Sequence, residues 1–117
     1  MSSYTGIVIK GKGRAGALGF PTANIALDDD SLLGIYAARV RVGDAEYIAA
    51  VFVDPKRKLL EAHLLDYSGE LSGKSITVEL CKKIREHEDF SNDTALRMAI
   101  AEDVKNVRDY FRAKTTS

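Results

Sequence analysis

The chain has 117 residues with 17 basic and 17 acidic side chains, so its formal net charge is zero. That length is near the mode for one domain, and at 45% hydrophobic and 29% charged residues it can bury a core. Balanced charge argues against an electrostatic grip on long nucleic acid. No apolar run approaches the roughly 20 residues that span a bilayer, and Met1-Ser2-Ser3-Tyr4 has no charged region ahead of an apolar stretch. Cys81 is the one cysteine, which excludes an internal disulfide and a multi-thiolate metal site. These features lead us to expect a soluble cytoplasmic domain without nucleic-acid or membrane partners.

Tyr4 to Lys10 reads as a strand, and Gly11 to Gly19 as a glycine-rich connection. Gly34 to Val42 alternates, with Tyr36, Ala38, Val40 and Val42 on one face and Arg39 and Arg41 on the other. Gly43-Asp44 suits a two-residue hairpin loop. Glu46 to Val53 is apolar on both faces, the pattern of a strand covered on both sides. Asp54-Pro55 opens a turn, Lys58 to Leu65 is a further strand, and Lys74 to Cys81 alternates with Ile76, Val78 and Leu80 inward. Beyond Phe90 the period changes: Leu96, Ile100, Val104, Val107 and Phe111 form one helical stripe, capped by Ser91, Asn92 or Asp93. We take the stripe as core cover and assign Cys81 no chemistry. Five or six short strands and a terminal helix make an α+β, mainly β pattern, expected as a small closed barrel with the helix outside.

Three features could carry chemistry. Glycines from Gly11 to Gly19 allow backbone N–H groups to approach a phosphate, with Lys12 and Arg14 adding charge, although the spacing fits no familiar phosphate loop. An ordinary connection is the other reading. In Phe20-Pro21-Thr22-Ala23-Asn24, an extended backbone would send the Thr22 hydroxyl and the Asn24 carboxamide to one face. Two neutral oxygens are a poor cage for Mg²⁺ alone but reasonable ligands if a nucleotide supplies the negative charge; the alternative is a local turn in which Asn24 bonds its own backbone. Glu61 sits mid-strand, sharing a face with Leu59, His63 and Leu65. Partial desolvation would raise its pKa toward the range of a general base, although a lone strand glutamate is more often solvated or salt-bridged. His63 is placed to bond Glu61 or to cover the core.

In order along the chain, Thr5-Gly6-Ile7-Val8, Gly11-Lys12-Gly13-Arg14, Leu18-Gly19-Phe20-Pro21-Thr22-Ala23-Asn24-Ile25, Gly34-Ile35-Tyr36-Ala37, Glu61-Ala62-His63-Leu64-Leu65-Asp66-Tyr67, Leu71-Ser72-Gly73-Lys74, Ile84-Arg85 and Phe90-Ser91, with Leu96 and Asp103, resemble the riboflavin kinase family. The resemblance spans nearly the whole chain and implies one kinase-like domain over 1–117. It implies a six-stranded Greek-key antiparallel barrel (about 4–82) with a C-terminal helix (about 92–113) packed outside. The implied reaction transfers the γ-phosphoryl group of ATP to the 5′-hydroxyl of riboflavin, giving FMN and ADP. Apart from the resemblance, we expect a cytoplasmic monomer. The metal would be Mg²⁺, or Zn²⁺ or Mn²⁺ in its place. By the same resemblance Thr22 and Asn24 touch metal and phosphates, and Glu61 is the base. Gly11, Lys12, Gly13, Arg14 and Gly16 line the nucleotide, while Arg85 and Phe90 belong to the flavin side. The chain departs from the family pattern at Ala15-Gly16, Phe52 to Lys58, Ser72, His87 and Asp89. A non-catalytic flavin or nucleotide module, and a kinase for a related acceptor, are the alternatives; a single-strand nucleic-acid adaptor would need stacking aromatics in a basic groove.

Overall fold

Alternating apolar residues build six antiparallel strands in this computed structural model, which describes residues 2–10 and 14–116. They are β1 (Ser3–Ile7), β2 (Ala23–Ala26), β3 (Ile35–Val42), β4 (Ala45–Asp54), β5 (Leu59–Leu64) and β6 (Ser75–Arg85). One helical turn, α1 (Arg14–Ala17), precedes β2, and a long helix, α2 (Asp93–Thr116), ends the chain. The strand order is β1-β6-β3-β4-β5-β2. Within it β3, β4 and β5 follow one another by short turns, and β6 returns beside β3, which is a Greek key. The Ile9 N–H donates to the Asn24 carbonyl at 2.8 Å, bridging the two ends of the sheet into a nearly closed barrel.

The interior is filled by Ile25, Val40, Val51, Leu60, Ile76 and Val78, with Ala38, Ala49 and Ala62 where the walls come close. A second cluster lies outside, where Ala37, Ala50 and Leu65 meet Val107 and Phe111 of α2. Two cores on opposite sides of β3 and β4 account for the double-faced apolar pattern of β4. The Asn92 carboxamide oxygen accepts the Ala95 N–H at 2.8 Å, so Asn92 is the cap that starts α2. Cys81 packs against the helix-side cluster, and the Arg39 guanidinium donates to its sulfur at 3.4 Å.

Several boundaries differ from the expectation. The first strand stops at Ile7, because Val8 bonds Lys74 and Ile9 turns away to meet Asn24. The last strand continues four residues past Cys81: two register shifts against β3 absorb the mismatch and carry pairing on to Ile35 and Arg85. The helix runs to Thr116. The glycine-rich stretch is not a plain connection. It contains α1, whose end is a Schellman motif: Gly19 N–H bonds the Gly16 carbonyl at 3.2 Å, and Phe20 N–H bonds that of Ala15 at 2.9 Å. Gly19 supplies the left-handed residue, φ +97°, that this ending requires.

Candidate active site

Parity places the polar residues. Ala23 and Ile25 of β2 point into the barrel, as do Leu60, Ala62 and Leu64 of β5. Asn24 on the one strand and Glu61 and His63 on the other therefore lie on the outer surface. The antiparallel register sets Asn24 directly opposite Glu61, and Phe52 of β4 flanks Glu61 on its other side. The Thr22 hydroxyl donates to the Asn24 carboxamide oxygen at 2.8 Å, and Asn24 is only 2% exposed. Thr22 also lies against the Glu61 carboxylate, whose charged form it favours. The threonine–asparagine couple and the mid-strand acid thus converge on one point, and Asn24 is not turned back on its own backbone.

Burial is the main cause that raises the Glu61 pKa, and the neighbouring Asp54 carboxylate adds to it. Arg57 opposes both, as does the contact with Thr22. A carboxylate made more basic by a half-dry site has the properties of a general base. His63 does not bond Glu61; its Nδ1 lies 2.8 Å from the Pro21 carbonyl.

Two cavities of ligand size are lined by residues of this region. The first, about 480 Å³, is lined by Val8, Lys10, Gly16, Thr22, Tyr67 and Leu71 among others. The second, about 470 Å³, is lined by Phe52, Arg57, Glu61, Arg85, Phe90 and Leu96 among others. Thr22 thus belongs to one cavity and Glu61 to the next. Ile100 also lines the second cavity, so the amino-terminal half of the helical stripe forms a cavity wall as well as core cover.

Arg85 is held by a bidentate pair with Asp103, Nε to Oδ1 at 2.8 Å and Nη2 to Oδ2 at 2.9 Å, and its Nη1 donates to the Glu86 carbonyl at 3.1 Å. Its guanidinium lies 5.8 Å from the centre of the Phe90 ring. Gly11, Lys12 and Gly13 lie outside the described residues, as does the Arg14 side chain; Gly16 reaches the first cavity. Sequence reasoning missed Tyr67 and Arg57 as lining residues, since a loop tyrosine and a turn arginine carry no periodic signal. Among the described residues, no cluster of three or more His, Cys, Asp or Glu side chains could hold a metal. The donor set at Thr22 and Asn24, two neutral oxygens, fits a hard divalent cation only where a bound phosphate shares it.

The architecture is that of a nearly closed six-stranded antiparallel barrel with one C-terminal helix, its polar couple and acid set together on the outer wall. The chain belongs to the riboflavin kinase family: the family model for riboflavin kinase matches residues 2–111. Members of that family are ATP-dependent transferases. The chain is 35% identical over 117 residues to the bifunctional riboflavin kinase/FMN adenylyltransferase of Haemophilus influenzae, covering 92% of this chain and 38% of that protein. It is 30% identical to the protein of the same name from Bacillus subtilis, covering 91% of this chain and 37% of the relative. The chain therefore spans well under half the length of these relatives. The crystal structure of riboflavin kinase from Trypanosoma brucei superposes with a TM-score of 0.66 at 26% identity, covering 94% of this chain and 79% of that one. A Streptococcus pneumoniae structure named as a macrolide-efflux protein shares the fold, with a TM-score of 0.77 at 23% identity, over 91% of this chain and 38% of its own. Among the described residues, no helix is long and apolar enough to cross a membrane.

Proposed function

We propose that this chain, as one domain, transfers the γ-phosphoryl group of ATP to the 5′-hydroxyl of riboflavin. The observation that carries the reading is the placing of Thr22 and Glu61: Thr22 lines one cavity, Glu61 lines the other, and the Thr22 hydroxyl lies near enough to the Glu61 carboxylate to favour its charged form. A nucleotide in the first cavity and a flavin in the second would bring donor phosphate and acceptor hydroxyl together at these two side chains. Phosphoryl transfer needs alignment and charge neutralisation more than covalent help from the protein. Glu61 takes the proton of the ribityl hydroxyl as the new O–P bond forms, and ADP leaves with the electrons of the broken bond.

Thr22 and Asn24 would hold a divalent cation, Mg²⁺ or Zn²⁺ or Mn²⁺, jointly with the nucleotide phosphates, and that cation supplies charge neutralisation. Gly11, Lys12, Gly13, Arg14 and Gly16 line the nucleotide in this reading, and Arg85 and Phe90 the flavin. The reading takes the chain as a cytoplasmic monomer without nucleic-acid partners, in keeping with its zero net charge. Incubation with ATP, Mg²⁺ and riboflavin should yield FMN and ADP. Absence of FMN, with Glu61→Gln indistinguishable from the parent, refutes it.

A kinase for a related acceptor is the second reading. The departures at Phe52, Asp54 to Arg57, His87 and Asp89 all line the second cavity, the acceptor side. Turnover of other alcohols bearing a flat heterocycle, but not riboflavin, would favour it.

A further inference from the structure

The β2–β5 ladder begins at Ala23 and Ala62, so its next rung would pair Thr22 with His63. Among the described residues, no backbone pairing holds Thr22 there. The His63 side chain takes over: its Nδ1 lies 2.8 Å from the Pro21 carbonyl, and its ring meets Phe20 edge-on, centroids 5.5 Å apart at 84°. A carbonyl can only accept, so the ring nitrogen that faces it must carry the proton. Pro21 contributes the peptide plane whose other end is the Thr22 nitrogen, so a bond to this carbonyl fixes the orientation from which the Thr22 side chain departs.

We propose that His63 is a positioning residue for the phosphate side of the site. Through Nδ1 and its contact with Phe20, it locks the Pro21–Thr22 peptide to the strand that carries Glu61 two residues away. This rests on Thr22 acting toward the nucleotide as set out above. Phe20 and Pro21 follow the Schellman ending of α1, and His63 fastens both before β2 begins.

The test compares His63→Asn, His63→Gln and His63→Ala. The asparagine amide nitrogen occupies the place of Nδ1, whereas the glutamine amide reaches the place of Nε2. Loss of one net hydrogen bond predicts that His63→Ala and His63→Gln lower kcat/KM for ATP about 3- to 10-fold. The KM for riboflavin should stay within about twofold, because Phe52, Arg85 and Phe90 are untouched, and His63→Asn should recover most of the loss. Equal activity of the Asn and Gln variants, or equal losses toward both substrates, overturns the proposal. Thr22→Ala and Glu61→Gln in the same assay separate the two ideas. If they are silent, the kinase reading fails; if they are impaired while all three His63 variants match the parent, only the positioning role fails. A readout free of turnover is the ¹⁵N spectrum of His63, which should show the Nδ1–H tautomer; a dominant Nε2–H tautomer refutes the bond.

Discussion

Breaking the pair between Arg85 and Asp103 should destabilise the fold by an amount the geometry sets. Asp103 is 1% exposed and receives two charge-assisted bonds, at 2.8 and 2.9 Å, from an arginine side chain that remains 27% exposed. Removing one partner of a fully buried pair costs about 3–5 kcal/mol. Here Arg85 keeps its bond to the Glu86 carbonyl and can turn toward water, so the loss should fall to about 2–3 kcal/mol for Asp103→Ala. For a chain of 117 residues that lowers Tm by roughly 8–12 °C. The assay is urea and thermal unfolding of Asp103→Ala, Arg85→Ala and the double variant. The coupling energy from this cycle should reach about 2 kcal/mol. Arg85→Lys should not restore it, because an ammonium cannot make the paired contact. A coupling below about 0.5 kcal/mol, the level of an exposed pair, would refute the claim that this clasp ties the end of β6 to α2.

Glu61→Gln should lower kcat by about 10²- to 10⁴-fold while making the ligand-free protein melt higher at neutral pH. The sign follows from burial: the folded pKa of Glu61 is raised, so its contribution to stability is full below the unfolded value, near 4.5, and is lost as pH rises through the folded one. The gain in Tm should therefore vanish in acid, and a gain that persists there would contradict it. Thr22→Ala and Asn24→Ala should weaken Mg²⁺-dependent ADP binding, measured by calorimetry, more than FMN binding; equal losses would mean a folding defect. Asn92→Ala removes the cap of α2 and should cost about 1 kcal/mol in urea unfolding without changing kcat, and no loss would show that the cap is dispensable.

The strands were legible because parity is a strong signal: Ile76, Val78 and Leu80 alternate, and the barrel interior holds all three. The double-faced run in β4 was equally readable, since two cores need it. What failed was pairing that depends on distant chain. Nothing local in Lys82 to Arg85 announces a strand; it is extended because β3 offers a partner across two register shifts. The α1 turn escaped because four glycines hide helical propensity, and of the two described, Gly16 lies within the turn while Gly19 ends it. Among site residues, the Thr22, Asn24 and Glu61 convergence could be suspected from the sequence, but their contact rests on the β2–β5 register, which joins segments more than thirty residues apart. His63 pointed to Glu61 by strand parity and went instead to Pro21, because the ladder ends one rung short.

The position of the site follows from the size of the barrel. Six strands leave an interior wide enough only for side chains, and Leu60, Val51 and Ile76 fill it, so ligands are left the barrel mouth, where inward-facing Ala23, Ala62 and Leu64 line the first cavity, and the outer wall, where Glu61 lines the second. On the outer wall α2 packs on β3, β4 and β6; β2 and β5 carry the polar couple and the acid between two cavities. Asn24 serves both levels at once. Its main-chain carbonyl closes the barrel through Ile9, while its side chain accepts the Thr22 hydroxyl. Barrel closure and site geometry therefore share one residue, yet use different atoms of it. Substituting the side chain leaves the closing bond in place, which is why Asn24 can report on chemistry separately from folding even though it is buried.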